Sequence, residues 1–272
     1  MRKRVIPGFG ISVGITVAML SIVVLIPLAS VVVMSFGLSF SEFIQVVTQK
    51  QVLVGYWVTF SCAFIAACVN CVFGVILAWV LVRYEFPGKR FLDGIIELPF
   101  ALPTAVAGIT LTSLYSNQGA IGSLLDKIGI QVAYTRVGIT IAMIFIGIPF
   151  VVRVIQPVLE KLDPQYEEAA SILGASPSRT FRKVIFPEIM PALLTGFGLA
   201  FARGVGEYGS VVFIAGNIPF KTQIASLLIM QKLEQFKYED ATAIALVMLI
   251  VSFIILFFIN VVQSYASKTT KG

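Results

Sequence analysis

The chain has 272 residues, 58% of them hydrophobic and 12% charged, with a mean hydropathy of +0.95. A soluble domain of this length carries about 25% charged residues, so the composition excludes a soluble globule and requires an integral membrane protein. The formal charge of +6 does not point to nucleic acid, because the basic residues flank apolar runs and are better explained by topology.

Six segments are apolar and long enough to cross a bilayer, at about 20 residues per crossing. They are 11–36, 54–81, 92–114, 137–155, 189–215 and 241–262. The first follows "MRKR" but runs too long for a signal peptide and has no small-x-small cut site, so an uncleaved span is expected. The second holds all three cysteines, Cys62, Cys68 and Cys71, in a chain with no histidine. They read as small apolar residues packed between helices. The lack of histidine also removes the commonest general base, which weighs against an enzyme.

The third segment carries Pro99 and Pro103, which break the helical ladder and predict a kink. Thr104 can satisfy a freed carbonyl there. Glu97 lies one turn inside the end of that span, where a hydrated mouth suffices. The fifth carries Arg203 and Glu207, four apart and so on one helical face. Charges inside a span face protein or water. This pair is either part of a translocation pathway, with Arg203 as a weak, transient cation for an anion, or an internal pair that fixes packing. Gly204, Gly206 and Gly209 around it predict close helix packing or a break.

Charge fixes the orientation. Thirteen basic residues lie on one side: Arg2, Lys3, Arg4, Arg83, Lys89, Arg90, Arg153, Lys161, Arg179, Arg182, Lys183, Lys268 and Lys271. Six lie on the other: Lys50, Lys127, Arg136, Lys221, Lys232 and Lys237. The positive-inside rule then places both termini and the 153–188 loop in the cytoplasm. A single transmembrane domain over 1–272 is expected, with no soluble domain and no internal repeat.

The 153–188 loop is the one long polar island. "LDPQYEEAASILG" has both helix ends marked: Asp163 as cap, Pro164 as first residue, Glu167 and Glu168 near the positive end of the dipole, and Gly174 as a left-handed stop. "ASPSRTFRKVIFPE" then restarts, with Ser176 capping, Pro177 first and Pro187 ending the helix. The middle is small (Ala169, Ala170, Gly174, Ala175), so another surface can approach the backbone. Phe181 and Ile185 share a face that can anchor the loop to its own spans. The residues alone leave a docking hairpin and a solvated helical linker both open.

Glu168-Ala169-Ala170, then Gly174, then Ile185 and Pro187 resemble the EAA loop of the permease subunits of ABC importers. The spacing from Ile185 to Pro187 is one residue shorter than that family's usual ending. The segments 97–111 and 201–229, the latter with "EYGSVVFIAGN", resemble the sulfate/thiosulfate importers, and among them the T-type permeases. Molybdate/tungstate permeases are similar but more often read E-F-G at that point. The resemblance covers nearly the whole chain. It implies an all-α, six-helix, type I (MetI-like) permease fold with both termini inside, in a bacterial inner membrane. It implies that Glu167, Glu168, Ala169, Ala170, Gly174, Ala175, Ser176, Pro177, Ile185 and Pro187 belong to a loop that couples to a cytoplasmic ATPase. Arg203, Glu207, Gly204, Gly206, Pro99, Pro103 and Thr104 are the candidates for the pathway.

The implied partners are a second, W-type permease, two ATPase subunits and a periplasmic or lipid-anchored sulfate-binding protein, with the outer stretch 217–240 as a docking surface for the last. No cofactor is expected on this chain, since no G-x-x-x-x-G-K-[ST] motif occurs; ATP and Mg would bind the partner ATPase. Two rivals are a secondary anion transporter, with Glu97 or the Arg203–Glu207 pair coupling protons, and a non-transporting scaffold or channel subunit. The first predicts internal repeats, which are not visible.

Overall fold

The computed structural model describes residues 9–269, with side chains through 265. The basic residues Arg2, Lys3, Arg4 and Lys271 and the side chain of Lys268 lie outside the described residues. All regular structure described is helical.

The first long helix, α1 (Phe9–Ser35), is apolar throughout. It contains a π turn at Ser21–Leu25, closed by the Ile26 N–H donating to the Ser21 carbonyl. Pro27 follows two residues after the turn. Proline lacks an N–H and crowds the carbonyl four residues back, and the wider turn before it lets the helix continue. α2 (Phe40–Val47) begins with a full capping box. The Ser39 N–H donates to Glu42 Oε2 at 2.8 Å, and the Glu42 N–H to Ser39 Oγ at 3.3 Å. The Ser39 hydroxyl and N–H hold the Glu42 carboxyl below its ordinary pKa.

α3 (Lys50–Arg83), α7 (Arg136–Lys161) and α9 (Pro177–Val205) form the core. They touch through small residues, as helices do where no hydrophobic effect drives them together. A Cβ on Gly74 of α3 would stand 2.6 Å from Val151 Cγ1 of α7. A Cβ on Gly204 of α9 would stand 3.3 Å from the Ala63 Cβ of α3. Gly147 of α7 lies against the amide of Asn70, which is buried and has no partner among the described residues for either its nitrogen or its oxygen. Thr135 caps α7, accepting from the Gly138 N–H. Around this core run α4 (Lys89–Ala101), α5 (Thr104–Tyr115) and the short α6 (Gly122–Asp126). After α7 come α8 (Gln165–Ile172), α10 (Val211–Ile214), α11 (Ala225–Glu234) and α12 (Tyr238–Thr269). α12 packs on α9 and α11, and α1 lies outermost against α12.

Among the described residues, five helices are long and apolar enough to span, and counting the bent pair α4–α5 as one span gives six. The expected six spans are reached on that count, with three corrections. The third is no gentle kink. α4 and α5 meet at 112° across Leu102–Pro103, while Pro99 sits buried inside α4 without ending it. The residue before a proline is driven out of the helical region, and Leu102 is extended at ψ 136°, so the break falls there. The fifth span does not run to 215. α9 ends at Val205, and 206–215 is a turn followed by α10. Cys68 does not pack between helices. It is exposed on the outside of α3, whereas Cys62 is buried and Cys71 half-buried.

Candidate functional site

Two polar assemblies stand out, one at each end of α9. The first is the 163–188 hairpin. Asp163 Oδ1 accepts from the Gln165 N–H at 2.9 Å, so it caps α8 as expected, with the helix starting one residue later. Gly174 adopts φ +78°, the left-handed stop. Ser176 Oγ accepts from the Arg179 N–H at 3.4 Å, and Pro177 opens α9.

Pro187 does not end the second arm. The helix continues from Pro177 to Val205, passing a π turn at Phe181–Ile185 in which the Phe186 N–H donates to the Phe181 carbonyl. This repeats the device seen before Pro27. The second arm of the hairpin and the fifth span are thus one helix. Glu167, Glu168, Ala169, Ala170 and Gly174 line the first arm and its stop; Ala175, Ser176 and Pro177 form the restart. Ile185 is buried, and the Phe181 ring meets Trp79 edge-on at 5.9 Å, so these two residues do anchor the loop. The tip stays bare: Ile172 and Leu173 are each 86% exposed.

The second assembly is at the far end of α9. Arg203 Nη1 pairs with Glu207 Oε2 at 2.6 Å, although Glu207 lies beyond the end of the helix, which stops at the Gly206 cap. Glu207 is 1% exposed. Its other oxygen accepts from the Ser210 N–H at 2.8 Å and from Ser210 Oγ at 2.9 Å, and its carbonyl accepts from Ser226 Oγ of α11 at 2.8 Å. The same turn is pressed onto α5. Gly108 meets the Ser210 backbone, and Gly209 meets the Thr104 hydroxyl. Among the described residues Thr104 makes no hydrogen bond to a freed carbonyl; its hydroxyl packs against Gly209 instead. The structure therefore gathers Arg203, Glu207, Gly204, Gly206 and Thr104, with Pro103 at the adjoining break. Pro99 sits deeper in α4, away from this turn along the chain.

Two ion-pair clusters had no signal in the sequence. Arg153 of α7 forks onto α4, with Nη1 2.8 Å from Asp93 Oδ1 and Nη2 2.7 Å from Glu97 Oε1. Glu97 is thus a clamp partner and not merely a group in a wet mouth. Arg83, the last residue of α3, reaches Glu167 at 2.7 Å. These partners are 60 and 84 positions apart, and no periodicity announces them. On the outer stretch, Lys232 pairs with Asp240 at 2.8 Å, and α11 buries Ala225, Leu227 and Leu228, so this segment is part of the bundle and not a free loop.

Residues 70–272 match the model of the binding-protein-dependent transport system inner membrane component family. The chain belongs to this family. The permease is 48% identical over 270 residues to the sulfate transport system permease protein CysT of Escherichia coli (strain K12), covering 99% of this chain and 98% of that one. It is 48% identical over 249 residues to the CysT protein of Synechococcus elongatus, covering 92% and 90%. Among solved structures, the permease fold is shared with a bacterial ABC transporter that imports the acidic polysaccharide alginate (TM-score 0.79, 16% identity, 95% of this chain and 96% of that one). It is shared also with the MetNI methionine ABC transporter (TM-score 0.61, 17% identity, 79% and 96%). The fold expected from the hairpin motif is therefore the fold found.

Proposed function

We propose that the permease is one of two transmembrane subunits of an ATP-driven sulfate/thiosulfate importer in a bacterial inner membrane. Its similarity to CysT proteins along almost the whole chain is the observation that carries the substrate class. In this reading it pairs with a homologous W-type permease, two cytoplasmic ATPase subunits and a sulfate-binding protein on the outer side. ATP and Mg belong to the ATPase. The chain itself catalyses no reaction.

The hairpin supplies the coupling step. Its exposed tip at Ile172–Leu173 and its small-residue arm suit a cleft on a soluble partner. Closure of the ATPase pair would push on this tip. Because the second arm is continuous with the fifth span, the push reaches the far end of α9 without a joint. The spans then rock as rigid bodies, the binding protein releases sulfate, and hydrolysis resets the inward-open state. At the far end, Arg203 offers a cation that Glu207 largely balances. That makes a weak, passing site, as a pathway needs.

The test is uptake of labelled sulfate into vesicles holding the permease with its candidate partners, with and without internal ATP and with excess molybdate. ATP-dependent uptake that molybdate does not block is expected. Uptake indifferent to ATP would favour an ion-coupled transporter, and block by molybdate a molybdate importer; either would overturn the proposal.

A further inference from the structure

α8 buries none of its own residues, so packing does not hold it against the bundle. Its polar tie is Glu167, whose Oε1 lies 2.7 Å from Arg83 Nη2, with the two side chains only 28% and 17% exposed. The same guanidinium nitrogen donates to the carbonyl of Leu162, just past the end of α7, at 3.3 Å. The guanidinium also lies over the Trp79 ring, 5.7 Å from its centre. Trp79 in turn meets Phe181 edge-on, and Phe181 packs on Phe186 at 6.0 Å. Trp79 and Arg83 are four residues apart on α3 and share one face. One turn of α3 therefore grips both arms of the hairpin, the first through charge and the second through aromatic rings. Glu168 stands beside Glu167 but is exposed, and its carboxylate has no partner among the described residues.

We infer that Arg83 is the strut that sets the angle of the hairpin to the membrane bundle, and that Glu167 is a positioning residue facing the strut while Glu168 is left for the ATPase. This rests on the coupling function proposed above, and it moves Glu167 out of the ATPase-facing surface to which the sequence assigned it. A guanidinium serves best. Both hydrogen bonds leave one nitrogen, so a lysine ammonium could make them, but as a compact, strongly hydrated point charge it lacks the planar group that lies over Trp79.

Two measurements test it. The first needs no partner: hydrogen exchange of residues 165–173 in the purified chain in nanodiscs. Glu167→Gln and Arg83→Gln are expected to speed exchange there by about fivefold or more, with Arg83→Lys in between, a size usual for the coupling of contacting residues. Unchanged exchange overturns the strut. The second is sulfate taken up per ATP hydrolysed by the assembled importer. Glu167→Gln is expected to lower this ratio by about fivefold while the ATPase still co-purifies, and Arg83→Lys, which keeps the charge pair but not the planar contact with Trp79, to lower it less. An unchanged ratio despite faster exchange leaves Glu167 merely structural and overturns its positioning role. Loss of the ATPase from Glu167→Gln alone makes it a docking contact and overturns the assignment too. If the wild-type chain binds no ATPase, the coupling function fails, and the exchange data still decide whether the strut exists.

Discussion

Removing the two members of the Arg203–Glu207 pair should have very unequal effects. The Glu207 side chain is 2% exposed and the Arg203 side chain 33%. Arg203→Met leaves a carboxylate sealed from water with only the Ser210 N–H and hydroxyl to hold it. Stranding a buried charge in this way costs about 3–5 kcal/mol. Glu207→Gln leaves a guanidinium that water can still reach, and the amide oxygen still accepts from Ser210. That loss should be about 0.5–1.5 kcal/mol, the net worth of an ordinary hydrogen bond, because the guanidinium stays hydrated. The double variant should resemble Glu207→Gln alone, because no buried carboxylate remains. Thermal unfolding of the purified chain in one detergent reads this out. At roughly 2–4 °C per kcal/mol for a chain of this size, Arg203→Met should lower the midpoint by about 6–20 °C, and the other two by only a few degrees. Equal losses for the two single variants, or a double variant as damaged as Arg203→Met, would refute the reasoning.

Three further sites, one crowded, one unsatisfied and one at a left-handed turn, give sharp outcomes. Gly108→Ala drives a methyl group into the Ser210 backbone, whose Cα would lie 2.7 Å away, and should cost about 1–3 kcal/mol in the same unfolding assay, whereas Gly94→Ala, in mid-helix with nothing within 4 Å, should be neutral or slightly stabilising. Asn70→Leu replaces an amide with two unsatisfied buried atoms by an apolar group of similar branching and should raise the unfolding midpoint, by a gain of about 1–3 kcal/mol; a fall would show that Asn70 has a partner. Gly174→Asp, at φ +78° in open space, should leave the chain in the membrane and abolish sulfate uptake, with Gly174→Asn milder because it tolerates that backbone equally but brings no charge to the docking surface; normal uptake by the aspartate variant would sink the coupling-loop assignment.

Much of this architecture is legible from residue patterns, for physical reasons that also explain the failures. Long apolar runs give the spans because the bilayer sets one length scale. The hairpin is legible because Ser176, Pro177 and Gly174 each act within three residues of themselves, through a side-chain cap, a fixed φ or a positive φ. The end of α9 is not legible. "GSVVFIAG" after Glu207 is as apolar as a span, and hydropathy carries no term for the turn that Gly206 makes. Pro187 misleads for the opposite reason. A proline stop is a local rule, and the π turn that defeats it is also local but leaves no mark in composition. The ion pairs Arg153–Asp93, Arg153–Glu97 and Arg83–Glu167 join distant segments, so only the packing of α3, α4, α7 and α8 brings them into view. Helical spacing points to the Arg203–Glu207 pair, although the last step to Glu207 is made by a turn.

The continuity of α9 ties the two assemblies together. From Pro177 to Val205 it has 29 residues, which at 1.5 Å per residue is about 43 Å, enough to cross the bilayer. The exposed hairpin tip stands at one end and the Arg203–Glu207 node at the other. A lever of this kind is useful only if its base turns about a fixed point and its load is light. The Trp79–Phe181 contact lies at the π turn, where the helix is widest and its hydrogen bonds most easily rearranged, so that contact is the natural fulcrum. The load is a turn held by Glu207, whose buried carboxylate bonds Arg203 and Ser210 and whose backbone carbonyl accepts from Ser226, linking α9, α10 and α11. A tilt of α9 that moves Arg203 must carry Glu207 with it or strand it. On the proposed function, the outer end of the pathway follows the ATPase for that reason.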